Sequence, residues 1–155
     1  MAVSYEMRRL DSLPWPTSIG KDLEYPALRG KILARLGPGP DAFKTAFEGD
    51  STLRSLIGDA LSSAPWAPAD LSDVDHLYSC AAQSSLLYRM VNDDISWRRW
   101  ADPLQQRYGR LVFDWLCNPI RITVNGIGDG RHRLTYLRLH RGPAYLVLVR
   151  INHAR

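Results

Sequence analysis

The chain has 155 residues, 45% of them apolar, with five tryptophans, enough to bury one core and too few for two comfortable domains. No apolar run approaches the roughly 20 residues of a bilayer span, and Glu6 falls in an N-terminus that lacks a signal-peptide segment, so a soluble, cytoplasmic, single-domain protein without a membrane partner is expected. The net charge of +4 is unevenly placed: from Arg121 onward, Arg121, Arg131, Arg133, Arg138, Arg141, Arg150 and Arg155 face one acid, Asp129, a local +6 that leaves −2 for residues 1–120. Such a field attracts phosphate or nucleic acid, although a solvated basic helix face would show the same excess. Cys80 and Cys117 have no metal-ligand spacing and are expected to be buried thiols.

The first section, 1–40, begins extended at Val3 to Leu10, is punctuated by Pro14, Pro16 and Pro26, and tries a helix over Ala27 to Leu36 before Gly37-Pro38-Gly39-Pro40 ends it. A helical region, 41–117, follows. Asp41 is placed to cap Ala42 to Phe47, Asp50 or Ser51 to cap Thr52 to Leu61, and Asp70 to cap a longer element reaching about Asn92. Leu71, Val74, Leu77, Tyr78, Ala81, Leu86 and Met90 make that last helix half-buried. A further helix is predicted over Asp102 to Cys117, with Asp102 as N-cap, Pro103 in the first helical position and Leu104, Tyr108, Leu111, Val112, Trp115 and Leu116 in one stripe. Asn118-Pro119 stops it. In 118–155 the period changes: Ile120 to Val124 is strand-like, 130 to 141 is helical with Leu134 and Leu137 inward, Gly142-Pro143 closes that helix, and Tyr145 to Ile151 is a buried strand. The whole reads as an α+β fold: a small mixed sheet, a helical insertion in mid-chain and a C-terminal β-loop-α-β unit.

Between the strand at 120–124 and the helix lies Asn125-Gly126-Ile127-Gly128-Asp129-Gly130-Arg131-His132-Arg133. Where a strand hands over to a helix, the first helical amides lack internal partners and carry the positive end of the dipole, which suits an anion. Gly126, Gly128 and Gly130 permit close backbone approach, and Arg131 and Arg133 add charge and forked donors. A phosphate site at 126 to 133 is the expectation.

Residues 118–151, about a fifth of the chain, resemble the signature of the ParB/sulfiredoxin-like superfamily: a strand, a G-x-H-R turn at Gly130-Arg131-His132-Arg133 followed by Leu134, a helix, and a final apolar strand. In that family the turn and its arginine grip nucleotide phosphates, which implies the same for Gly130, His132 and above all Arg133. Where the sulfiredoxin branch carries its catalytic cysteine, this chain has Arg131, and only four residues follow Ile151, so neither sulfinic-acid repair nor a full partition clamp is expected. Other branches are kinases, triphosphatases or nucleases. The resemblance therefore implies a nucleoside triphosphate or nucleic acid as ligand, with Mg²⁺ as a possible companion.

Phosphoryl chemistry needs charge neutralisation and a group to manage a proton. Arg131 and Arg133 fit the first role; Asp129 and His132 are the catalytic candidates. Each has a plainer reading: Asp129 as helix N-cap, His132 as a structural histidine bonded to backbone, Asn125-Gly126 as an ordinary turn, Tyr136 as core rather than a base-stacking ring. The acids of Asp73-Val74-Asp75-His76 and Asn92-Asp93-Asp94 have metal-friendly spacing but read as solvated helix faces, and Trp97-Arg98-Arg99-Trp100 reads as helix packing at least as well as a single-strand binder. The function expected is phosphate binding with phosphoryl transfer or with phosphodiester or triphosphate hydrolysis. The rivals are a non-catalytic nucleotide-sensing or nucleic-acid-binding module and a small interaction protein of a mobile-element, toxin or phage system.

Overall fold

The computed structural model describes residues 2–17, 19 and 39–154; the helix expected over Ala27 to Leu36 lies outside them. The fold is α+β. Strand β1 (Val3–Arg9) is followed in chain order by helices α1 (Pro40–Gly49), α2 (Ser51–Ser62), α3 (Leu71–Ala82) and α4 (Ile95–Ala101), then by a broken helical segment to Cys117, β2 (Ile120–Thr123), β3 (Gly126–Asp129), α5 (Arg131–His140) and β4 (Leu146–Asn152). The four strands form one mixed sheet in the order β1-β4-β2-β3. The antiparallel β1-β4 pair runs Val3 opposite Asn152 to Arg9 opposite Leu146, while β2 lies parallel to β4 with Ile122 beside Ile151.

Local signals account for most of the helix starts. The Asp50 carboxylate accepts the Leu53 amide at 3.0 Å and Asp70 that of Ser72 at 2.9 Å, each satisfying an amide without a helical partner. At α1 the expected Asp41 cap is replaced by Gly39, at φ +92°, with Pro40 in the first turn, because proline's missing N–H costs nothing there. Two expected helices are shorter. α3 stops at Ala82 rather than near Asn92, because residues 88–91 leave the helix to cover the edge of β1: the Val3 amide donates to Val91 O at 2.8 Å, the Val91 amide to Val3 O at 2.9 Å and the Tyr88 amide to Tyr5 O at 2.8 Å. An open sheet edge gains more from those bonds than the chain loses by ending a helix. The helix expected from Asp102 to Cys117 is cut by Gly109, at φ +57°, into Gln105–Tyr108 and Arg110–Val112, and finishes in a wide π-turn over Phe113–Cys117.

The core is one contiguous cluster stitched by aromatic rings. Trp97 stacks on Tyr5 with centroids 4.3 Å apart and planes 6° from parallel, which docks α4 on the sheet, and its Nε1 donates to Leu116 O at 2.7 Å. The Trp97 to Trp100 motif is thus packing at this end. Cys117 is buried and Cys80 half-buried, both free thiols, and burial beside Asp102 pushes the Cys117 thiol up to about 11. Among the described residues no helix is long and apolar enough to cross a membrane.

Of the acids with metal-friendly spacing, Asp75 and Asp94 serve as ion-pair partners, and Asp93 accepts the Ile95 amide at 2.9 Å. Asp75 accepts Arg141 Nη2 at 2.6 Å and the Tyr145 hydroxyl at 2.6 Å; Asp94 accepts Arg150 Nε at 2.9 Å and the Tyr5 hydroxyl at 2.6 Å. Burial pushes the Asp94 carboxyl up, but the hydrogen bonds from Tyr5 and Arg150 and the guanidinium charge outweigh it and hold the group below the ordinary carboxylate range. A carboxyl depressed in the folded state stabilises fully above its unfolded value, near 3.9, and that contribution fades as pH falls through the folded value. Asp94→Asn is therefore expected to cost about 1 kcal/mol at pH 7. In melting curves the gap from the native chain should be widest at neutral pH and narrow progressively below about pH 4; a gap constant with pH would remove the pair from the account of acid stability.

Candidate functional site

The segment expected to be a glycine-rich turn is a strand for most of its length. Residues 126–129 form β3, the second arm of a tight hairpin in which Thr123 pairs with Gly126 across a two-residue connection. The Thr123 hydroxyl accepts the Asn125 amide at 3.2 Å and donates to Gly126 O at 3.4 Å, which fixes the bend. Val124 and Asn125 are thus the hairpin turn, Gly126 is already the first residue of β3, and it stands apart from the cleft described below. Gly128 makes room inside the hairpin: a Cβ there would come within 2.9 Å of both Arg121 Nε and Thr123 Cγ2. This corrects the expectation that all three glycines shape a phosphate loop. Only Gly130 makes the strand-to-helix connection, in the left-handed region at φ +89°.

From Gly130 the helix α5 begins at once, and no side chain caps its N-terminus. Asp129 does not fill that role, since its Oδ1 accepts the Gly130 amide at 2.8 Å instead of an amide further on. Ile127 to Arg133 line a cleft of about 890 Å³ whose remaining lining comes from the helical region: Ser63 to Trp66 of the α2-α3 connection, then Arg110, Phe113, Asp114 and Asn118 around the π-turn. These helical residues were not legible as site residues, because nothing in the local pattern of 63–66 or 110–118 marks them. The one available hint was Gly109 in an otherwise regular stripe.

Arg133 holds the two halves of this cleft together. Its side chain is 9% exposed, and its Nη1 donates to the carbonyl oxygens of Asp114 and Asn118. A π-turn shifts carbonyls out of the regular helical ladder, and this one leaves several to be met by side chains. Asn118 Nδ2 supplements its own amide on Phe113 O, Trp97 serves Leu116 O, and Arg133 serves the other two. A cation at a helix C-terminus also meets the negative end of the dipole. Burial lowers the Arg133 guanidinium from its ordinary value, partly offset by Tyr78, Asp129 and Asp114. Its Nη2 lies 3.8 Å from Asp129 Oδ2. The guanidinium expected as the main phosphate grip thus spends part of its fork on the protein's own backbone, and only the rest reaches the cleft.

The other predicted residues are placed as follows. Arg131 lines the cleft half-buried and makes no ion pair or side-chain hydrogen bond among the described residues. His132 also lines it, with its Nε2 2.7 Å from the carbonyl oxygen of buried Ile19, so that nitrogen carries a proton and donates to it. Asp129 is 64% exposed on the rim. Tyr136 is core, edge-on to Trp66 at 5.4 Å. Arg110 pairs with Asp114 at 3.3 Å on the far part of the lining. Among the described residues no three His, Cys, Asp or Glu side chains gather into a metal cage. Comparison with known proteins finds no match: no family model, no curated relative and no solved structure is significantly similar to this chain.

Proposed function

We propose that this cleft binds the phosphates of a nucleotide or nucleic acid within a ParB/sulfiredoxin-like domain, and that it serves phosphoryl transfer or hydrolysis of a triphosphate or phosphodiester. One observation carries this reading: the uncapped N-terminus of the ten-residue α5, entered through left-handed Gly130, lies on the lining of a large cleft beside Arg131, a guanidinium without an ion pair among the described residues. Amide hydrogens and a positive dipole end at that place favour an anion, and a forked guanidinium suits phosphate oxygens. Arg133 adds charge from below while tying the cleft floor to the π-turn.

Asp129 is the better placed of the two expected proton-handling groups, since its carboxylate is open to the cleft whereas His132 donates Nε2 to Ile19 O. A Mg²⁺ carried by phosphates commonly takes only one or two protein carboxylates, and Asp129 is the residue here that fits that need. The same His132 bond favours a second reading, a module that grips phosphate without turning it over.

Thermal denaturation with ATP, CTP, GTP and oligonucleotides, with and without magnesium, tests binding. A ligand at about 100 times its dissociation constant should add roughly 2.7 kcal/mol, and no shift with any of them would leave the interaction-protein reading. Released phosphate or a cut strand separates enzyme from binder. Arg131→Ala is expected to weaken binding about tenfold while the melting temperature moves by no more than about 2 °C. Undiminished binding by that variant would exclude this end of the cleft.

A further inference from the structure

We infer that the lining supplied by the helical region is a base subsite, in which the planar base of a bound nucleotide lies against Phe113 and Trp66 with little discrimination between bases. The inference rests on the phosphate reading of the same cleft and concerns what else the ligand must carry.

A phosphate group alone would leave most of the roughly 890 Å³ empty, a volume in the range of sites that enclose whole organic ligands. The rest of the lining offers aromatic surface. Phe113 is 52% exposed and makes no ring contact among the described residues. Its exposure follows from the π-turn, which turns Trp115, Leu116 and Cys117 into the core and leaves Phe113 outside. Trp66 is braced edge-on by Trp115, at 6.0 Å between centroids, and by Tyr136 at 5.4 Å, so its orientation is held before any ligand arrives. An exposed ring facing solvent elsewhere would carry no meaning. These two share a cleft with a site suited to phosphate, and every base has a face that stacks on aromatic side chains.

Weak selectivity follows from what the polar neighbours already do. The Ser63 hydroxyl donates to Ala60 O at 3.0 Å, Asn118 Nδ2 donates to Phe113 O at 3.3 Å while its Oδ1 accepts from Arg98, and Arg110 is paired with Asp114. Side chains engaged in this way read base edges poorly, and stacking without edge hydrogen bonds tolerates any base.

The test is calorimetric titration of the native chain and Phe113→Ala with ATP, GTP, CTP and inorganic triphosphate. The native chain should bind ATP about tenfold more tightly than inorganic triphosphate, with the three nucleotides within about tenfold of one another. Phe113→Ala should abolish the advantage of ATP and leave the triphosphate affinity unchanged, while Phe113→Trp should restore it. If the alanine variant does not fold, Phe113→Leu, which keeps the bulk and loses the π-face, carries the same comparison. Equal affinity of the native chain for ATP and triphosphate, or an ATP advantage untouched in the variant, would overturn the base subsite and leave the phosphate site standing. Failure of every one of these ligands to bind would bring down the phosphate reading and this inference with it.

Discussion

Replacing Arg133 with methionine is expected to destabilise the protein by about 3 kcal/mol, a fall of roughly 6–12 °C in melting temperature for a chain of this size. Methionine fills much of the same volume, so the loss reports the guanidinium rather than a cavity. Two half-buried carbonyls, of Asp114 and Asn118, lose their donor, and each orphaned acceptor costs about 1–3 kcal/mol. Relief from burying a cation returns part of that. Arg133→Lys should recover less than half of the stability, because one ammonium does not reproduce the planar fork. The sequence motif suggests a different outcome, in which Arg133 is chiefly a ligand contact: normal melting with lost nucleotide binding. Urea or thermal unfolding alongside titration at low temperature separates the two, and an unchanged melting temperature for Arg133→Met would refute the structural tie.

Gly130→Ala should cost about 2–5 kcal/mol, from a left-handed backbone worth roughly 1–2 kcal/mol and crowding worth about 1–3 kcal/mol. The added Cβ would stand 2.9 Å from Ile120 Cγ1, 3.0 Å from Arg133 Nη2 and 3.1 Å from the Ile120 Cα. The last of these is backbone of the neighbouring strand and cannot swing away. Gly126→Ala is the control, since its φ of +115° is also strained but nothing lies within 4 Å of the added carbon, so only the conformational part should appear. Equal losses at the two positions would show that φ alone matters and that α5 does not press on β2 at Gly130. Because the same displacement would shift the first turn of α5, Gly130→Ala should also weaken nucleotide binding in whatever fraction remains folded.

These two substitutions mark where the candidate site could and could not be read ahead of the fold. Gly130, Arg131 and His132 were legible as a strand-to-helix connection, since that depends on residues adjacent in the chain. Arg133 was legible as important but not for its actual bonds, because its acceptors lie 19 and 15 positions earlier in a turn whose width no periodicity announces. Phe113, Asp114 and Trp66 were read only as members of helices or connections. Their arrival on one cleft depends on how the α2-α3 connection and the π-turn pack against α5.

The composition, the apolar spacing of α2, α3 and α5, the capping aspartates Asp50 and Asp70, the strands around 120 and 146, and the concentration of arginine after residue 120 were all written in local order. Short-range sterics and orphaned amides act over three or four residues, so their signatures survive in a bare sequence. The early end of α3, the break at Gly109, the hairpin that absorbed Gly126 and Gly128, and the burial of Arg133 came from elsewhere. Two of these, the early end of α3 and the burial of Arg133, are settled by backbone groups that need a hydrogen-bond partner and find it in a distant segment: β1's edge in residues 88–91 and the π-turn's carbonyls in α5. Pairings of that range acquire a direction and a distance only when the sheet and helices have closed around one core.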